Sequence, residues 1–270
     1  MMLPADLRQA LDAAVARDTV VLASDFDGTL APFVHDAMTA RPVPGSIELL
    51  RSAARCPGVS AALVSGRDVD TLATLSGVPG ESDAGPNLTL IGSHGAQSSS
   101  AQLLSRLAGG MGEGGLDEAA RVRLAELDVA LQEVQRRHPQ SRIERKPAAV
   151  VLHTRGLRED VAEAALADAA TLAERDGVHS LAGKSVLELS VVDTSKGSAL
   201  RALADLVDAQ AVIYFGDDVT DERAFEVLPA EQGHVTIKVG DGPTAAAHRV
   251  PGIDAVVEAI AHFVAARQNR

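Results

Sequence analysis

The chain has 270 residues, of which 46% are hydrophobic and 23% charged, enough for one large domain or two smaller ones with a sizeable core. Aromatic residues make up only 2% and the formal net charge is -12, which together argue against base stacking on nucleic acid and against an anionic membrane as partner. One cysteine, Cys56, excludes an internal disulfide and any CxxC zinc or redox pair.

Met1 to Val15 mixes Asp6, Arg8 and Asp12 with apolar residues at helical spacing, which predicts an amphipathic helix rather than a signal peptide. No apolar run approaches the roughly 18 residues of a membrane span. The expectation is a cytoplasmic monomer with neither a nucleic-acid nor a membrane partner. Thr19 to Ser24 reads TVVLAS, a β-branched apolar run expected as a strand buried on both faces. A helix over Pro44–Ala54, a strand over Val59–Ser65, a helix over Val69–Leu75 and a strand over Leu88–Ser93 follow. Alternating strands and helices of this kind predict a doubly wound α/β sheet.

The pattern then changes. Gly109 to Gly115 reads GGMGEGG, a candidate domain boundary. It contains G-x-G-x-x-G, but no strand precedes it, so no dinucleotide site is expected. Helices over Leu116–Arg137 and Leu157–Arg175 alternate with paired strands over Arg142–Glu144 and Ala149–Thr154, then Val178–Leu181 and Ser185–Ser190. This repeated helix-strand-strand unit predicts a small α+β domain with an antiparallel sheet. The first pattern resumes with a helix over Lys196–Val207 capped by Thr194 or Ser195, a strand over Ala211–Phe215, a helix over Asp221–Val227, a strand over Val235–Val239 and a helix over Ile253–Ala266. The expected organisation is an α/β core, residues 1–111 and 192–270, interrupted by an inserted domain at 112–191.

Four groups carry chemistry. Asp25-Phe26-Asp27-Gly28-Thr29-Leu30 follows a buried strand, and ligands of open α/β sheets bind beyond the carboxyl ends of strands. Alternation puts Asp25 and Asp27 on one side and Phe26 on the other. Gly216-Asp217-Asp218-Val219-Thr220-Asp221-Glu222 ends a second such strand; four carboxylates in six positions repel one another unless a hard cation such as Mg²⁺ joins them. Ser65-Gly66-Arg67 and Lys196-Gly197 are weak alone, since Ser65 suits a helix cap and Lys196 a solvated surface. Together they offer the hydroxyl, the amides and the cation that a phosphate needs.

In this order the four groups resemble the haloacid dehalogenase (HAD) superfamily of phosphotransferases. The resemblance implies a Rossmann-like core with a parallel sheet and a C2-type α+β cap. It implies Asp25 as the nucleophile and Asp27 as the acid that protonates the leaving oxygen and then activates water. Ser65, Gly66 and Lys196 would bind the phosphate. The implied metal set is Asp25, Asp27 through its backbone carbonyl, Asp217 and Asp218, with Asp221 nearby. Gly92-Ser93-His94-Gly95, the run Glu144-Arg145-Lys146-Pro147 continuing to His153 and Arg155, Gly183-Lys184 with Glu188, and GDDVTDE itself look like trehalose-6-phosphate phosphatases. That likeness implies Glu144, Lys146 and Glu188 as sugar-binding residues, which by themselves could be an ordinary charged strand face, together with Arg67 and His94. His94 could equally fix a loop, and His153 and Arg155 fit structural roles. The expected reaction is hydrolysis of trehalose 6-phosphate. Another sugar phosphate, such as sucrose 6-phosphate or mannosyl-3-phosphoglycerate, and a non-catalytic regulatory module are the alternatives.

Overall fold

The computed structural model describes residues 3–78, 88–107, 116–146, 148–183, 185–192 and 195–270. The expected boundary loop at 109–115, Pro147 and Lys184 lie outside them. In chain order the elements are α1 (Ala5–Val15), β1 (Val20–Asp25), α2 (Ser46–Ala54), β2 (Val59–Val64), α3 (Val69–Ser76), β3 (Thr89–Gly92), β4 (Gln97–Ser98) and α4 (Ala101–Leu107). Then come α5 (Glu118–Arg137), β5 (Arg142–Lys146), β6 (Ala149–His153), α6 (Glu159–Ala170), β7 (His179–Gly183) and β8 (Val186–Ser190). The chain closes with α7 (Lys196–Leu206), β9 (Ala211–Gly216), α8 (Val219–Glu226), β10 (Val235–Val239), β11 (His248–Val250) and α9 (Ile253–Gln268). Two compact units result, Met1–Leu107 with Ser195–Arg270, and Ala108–Thr194.

Among the described residues, the first unit holds a sheet in the order β11-β10-β9-β1-β2-β3-β4, parallel except for the β3–β4 pair. Every residue of β1 and β9 is buried, because helices cover both faces. Val20, Leu22, Ile213 and Phe215 pack on one side with Leu7, Leu50, Ile260 and Phe263 of α1, α2 and α9. Val21, Ala23, Val212 and Tyr214 pack on the other with Leu103, Leu200, Leu203 and Phe225 of α4, α7 and α8. Continuous apolar runs are the sequence form of strands that have no wet face.

The second unit is a sheet in the order β5-β6-β8-β7, antiparallel throughout. Ile143, Val150, Leu152, Leu187 and Leu189 join Leu127, Leu131, Val134 and Ala165 of α5 and α6 in one apolar cluster. Glu144, Val151 and Glu188 stand opposite one another in register and therefore share the other face.

Caps set several helix ends. The Ser195 side chain accepts from the Ser198 amide and Ser198 answers to the Ser195 amide, a capping box that starts α7. Asp218 does the same with Asp221, so α8 begins at Val219, two residues before the expected Asp221. The helix expected over 157–175 stops at Ala170 and tightens into a 3₁₀ turn over Thr171–Glu174. The short elements β4, α4 and β11 were not expected.

Candidate active site

β1 lies between β2 and β9, which the chain reaches in opposite directions, so the sheet has its topological switch point there. Asp25 ends β1, Ser65 follows β2 and Asp217 follows β9. A cavity of about 190 Å³ opens at this point, with Asp25, Asp27, Ser65 and Gly66 among its walls. Arg67, His94, Lys196, Asp218 and Phe33 complete the lining.

At its floor Lys196 is 2% exposed and Asp25 3%. The Lys196 ammonium donates to Asp25 Oδ1 at 2.8 Å and to Asp221 Oδ1 at 2.9 Å. Asp221 is fully buried and saturated: the Tyr214 hydroxyl donates to Oδ1 at 2.6 Å, and the amides of Asp217 and Asp218 donate to Oδ2 at 2.9 and 3.0 Å. Burial pushes Asp25 well above the usual carboxylate range, and the charge of Lys196 opposes that push. Burial also disfavours the charge of Lys196, but Asp25, Asp221 and Asp218 outweigh it and raise the ammonium's pKa. Tyr214 is raised by burial and by Asp221, so it stays a donor.

Asp217 is held from three sides. The Thr29 hydroxyl donates to its Oδ1 at 3.2 Å. Lys238, a lysine buried in β10, donates to its backbone carbonyl and lies 3.5 Å from Glu222. Gly28, at φ +79°, leaves room for its carboxylate: a β-carbon there would sit 2.2 Å from Asp217 Oδ2. Burial, then Asp221 and Asp218, push Asp217 up to about 6. Asp218 is brought down to about 2, because Lys196 and the hydrogen bonds from Thr220 and Asp221 outweigh its burial.

Carboxylate oxygens of Asp25, Asp217 and Asp221 fall within 4.8 Å of one another, so this group could hold a metal. The donors are hard oxygens, as Mg²⁺ requires. An Asp217 carboxylate made hard to ionise by burial and by its like-charged neighbours is what a divalent cation would relieve. Of the expected ligands, Asp25 and Asp217 belong to this group. Asp218 instead caps α8, its Oδ1 accepting from the Thr220 and Asp221 amides at 2.8 and 3.1 Å. Asp221 takes the third place in the group, but its oxygens are already occupied.

The Asp27 side chain is also committed elsewhere. Arg67 donates from Nε and Nη2 to its two oxygens, both at 2.7 Å, a bidentate fork. The guanidinium lies 5.9 Å from the centre of the Phe26 ring, and its pKa is raised by the hydrogen bonds it donates to Asp27. Arg67, expected on the substrate, thus holds Asp27. The Ser65 hydroxyl is buried and accepts from the Arg67 amide at 3.1 Å. Ser93 and His94 both adopt left-handed backbone, at φ 49° and 54°. The His94 amide donates to Ser65 O at 3.0 Å, and a β-carbon on Gly66 would come 2.5 Å from the His94 ring. Gly66 therefore admits the imidazole to the pocket wall, and the strained pair aims it there.

In the second unit the Lys146 ammonium donates to Glu188 Oε2 at 2.7 Å, and His153 Nε2 lies 2.8 Å from Glu144 Oε2. The structure describes no comparable partner for Arg155. Sequence reasoning missed Tyr214, Lys238 and Thr29. Two of them had a signal: the chain's sole tyrosine and a lone lysine each sit inside a strand with no wet face, where a polar group needs a partner.

The model of the trehalose-phosphatase family matches residues 23–250. The chain belongs to that family. Its core and inserted α+β unit form the HAD-type, Rossmann-like fold with a cap. A trehalose-phosphate phosphatase of Mycobacterium tuberculosis is 33% identical over 257 residues, covering 89% of this chain and 61% of the relative. One from Mycobacterium marinum is 33% identical over 214 residues, covering 76% and 50%. The chain thus spans between half and three fifths of the length of these relatives. The structure of Aspergillus fumigatus trehalose-6-phosphate phosphatase superimposes with a TM-score of 0.67 at 25% identity, covering 98% of this chain and all of the other. No described helix is long and apolar enough to cross a membrane.

Proposed function

We propose that the chain hydrolyses trehalose 6-phosphate to trehalose and inorganic phosphate through an aspartyl-phosphate on Asp25. The observation that carries the reading is the convergence of Asp25, Lys196 and Asp217 on one cavity that also holds Ser65 and Asp27. The names of the relatives support the choice of sugar.

An Asp25 oxygen attacks phosphorus and the bond from phosphorus to the sugar oxygen breaks. Asp27 gives that oxygen its proton. Both Asp27 oxygens are engaged by Arg67, so at least one of those bonds opens for this step. Asp27 then takes a proton from water, whose oxygen attacks the phosphoenzyme, releasing phosphate and restoring the Asp25 carboxylate. Lys196 and the Ser65 hydroxyl bind phosphoryl oxygens, and Lys196 offsets charge that builds on them. Asp25, Asp217 and the backbone carbonyl of Asp27 would hold Mg²⁺, which when bound neutralises phosphoryl charge. Residues 112–191 act as the specificity cap, with Glu144, Lys146 and Glu188 pairing with sugar hydroxyls. A cytoplasmic location belongs to the same reading and fits a Cys56 that is free and buried.

Phosphate release from a panel of sugar phosphates tests the assignment. Trehalose 6-phosphate should be turned over best. Equal or better turnover of sucrose 6-phosphate, mannosyl-3-phosphoglycerate or glucose 6-phosphate overturns it. Asp25→Asn should lower turnover by at least ~10⁴-fold, as removal of a covalent nucleophile does elsewhere, with an unchanged circular dichroism spectrum.

A further inference from the structure

The chain carries six aromatic side chains, five phenylalanines and one tyrosine, and no tryptophan. Phe26, Tyr214, Phe215, Phe225 and Phe263 are at most 2% exposed. Phe33 is 73% exposed. A single exposed apolar residue needs no explanation in itself. What sets Phe33 apart is its place: it lines the cavity of Asp25, and every other side chain given to that lining is polar or charged.

The segment that carries it leaves from the turn that follows β1. The Ala31 amide donates to Phe26 O at 2.8 Å, the Gly28 amide to Ala31 O at 2.7 Å and the Val43 amide to Leu30 O at 2.9 Å. Ala31 and Ala40 on either side are fully buried. The segment that carries Phe33, residues 32–39, is exposed throughout, but its two ends are tied down, which keeps Phe33, two residues past Ala31, at the rim of the cavity.

The polar walls suit a phosphate. The phenyl face does not, because its negative quadrupole repels an anion. It suits the C–H face of a sugar ring. The cavity, about 190 Å³, is small beside the usual ligand range of about 300–1,000 Å³. A sugar phosphate with its phosphorus at Asp25 is too large for this volume and extends past the rim, of which Phe33 forms part. We propose that Phe33 is the platform on which the phosphate-bearing pyranose ring stacks, and hence a specificity-determining residue of this site. The inference rests on the sugar-phosphate reading above.

Steady-state kinetics of Phe33→Leu, Phe33→Ala and Phe33→Trp on the preferred pyranose phosphate and on acetyl phosphate, which has no ring, test it. For the Leu and Ala variants the ratio of kcat/KM for the pyranose phosphate to that for acetyl phosphate should fall about two- to tenfold, carried by KM, while Trp keeps it within about twofold. If Leu performs as well as Trp, the contact is aliphatic packing and stacking is wrong. An equal loss on both substrates makes Phe33 a wall of the pocket and also overturns the proposal.

Because the chain lacks tryptophan, Phe33→Trp gives a lone indole. In an Asp25→Asn background its emission should titrate with the pyranose phosphate and not with inorganic phosphate. Equal responses to the two, or none to the sugar, refute stacking. If the panel prefers a pyranose phosphate other than trehalose 6-phosphate, the assignment of substrate falls while the Phe33 test proceeds on that sugar. If no pyranose phosphate surpasses acetyl phosphate, both fall.

Discussion

The two units handle charge in opposite ways. In the core, Asp25, Lys196 and Asp221 are at most 3% exposed, and the Asp221 oxygens are fully bonded. In the inserted unit, Glu144 and His153 pair on the wetter face of an antiparallel sheet, with side chains 42% and 27% exposed. A buried charge network cannot lose a member cheaply, because the remaining charges are left without water. A half-exposed pair can, because water replaces the lost partner. Core substitutions should therefore damage stability and chemistry together, and substitutions at the half-exposed charges of the inserted unit should cost little stability.

Lys196→Met is the hardest blow to that contrast. It keeps the stem and removes the charge between Asp25 and Asp221. We expect a loss of about 3–5 kcal/mol in unfolding free energy, the usual cost of breaking a buried pair, along with near-complete loss of phosphate release. Urea unfolding monitored by circular dichroism measures the first. Unchanged stability would mean that the core network is not structural.

Gly28→Ala should be next. Its β-carbon would stand 2.2 Å from Asp217 Oδ2, so the carboxylate must move. A displacement of about 1 Å in a catalytic site costs on the order of 100-fold in kcat. Gly45→Ala is the control: it has a similar φ of +86° but nothing within 4 Å of the added atom. Equal effects from the two would assign the loss to backbone strain and not to Asp217.

Alanine at Glu144, Lys146 or Glu188 should raise KM for the preferred sugar phosphate roughly tenfold or more, the worth of one hydrogen bond to a charged group, with stability nearly unchanged for the half-exposed Glu144 and lowered for Lys146 and Glu188, whose pair is only 16% and 14% exposed. Lys146 and Glu188 share a 2.7 Å bond, so the double variant should cost no more than the worse single one. Full additivity would show that the two act separately on the substrate.

How much of this was readable beforehand follows the same divide. The strands of the core could be read because runs such as TVVLAS and AVIYF admit no wet face, and the motifs fall at their ends. The antiparallel strands of the inserted unit could be read as short runs paired between two helices, although β6, AVVLH, is buried over four successive residues and does not alternate. The two- and three-residue strands β4 and β11 carry too few residues for any period. Within DDVTDE, spacing alone does not say which acid turns inward; the helix start decides, sending Asp218 to the cap and Asp221 to Lys196. The Arg67 fork joins residues 40 apart and leaves no local trace.

The smallest expected effect lies in the inserted unit, at the end of α5. There His138 Nε2 lies 2.8 Å from Asp168 Oδ2, and Arg137 lies 2.9 Å from the same oxygen. The hydrogen bond from His138, and then the charge of Arg137, hold Asp168 below its ordinary value of 3.8. A carboxyl group depressed on folding stabilises the protein above its unfolded pKa, and that contribution disappears as pH falls through the folded value. The contribution of Asp168 should therefore be constant above about pH 5 and decline progressively as pH falls below it. Thermal unfolding of the parent chain and of Asp168→Asn, followed from pH 6 down to pH 2.5, measures it: the difference in Tm should be small, flat above about pH 5, and shrink steadily toward the acid end. A difference that does not shrink between pH 5 and pH 2.5 would mean that Asp168 acts through its shape and not its charge. One as large as that of Lys196→Met would erase the distinction between buried and exposed charge on which the other predictions stand.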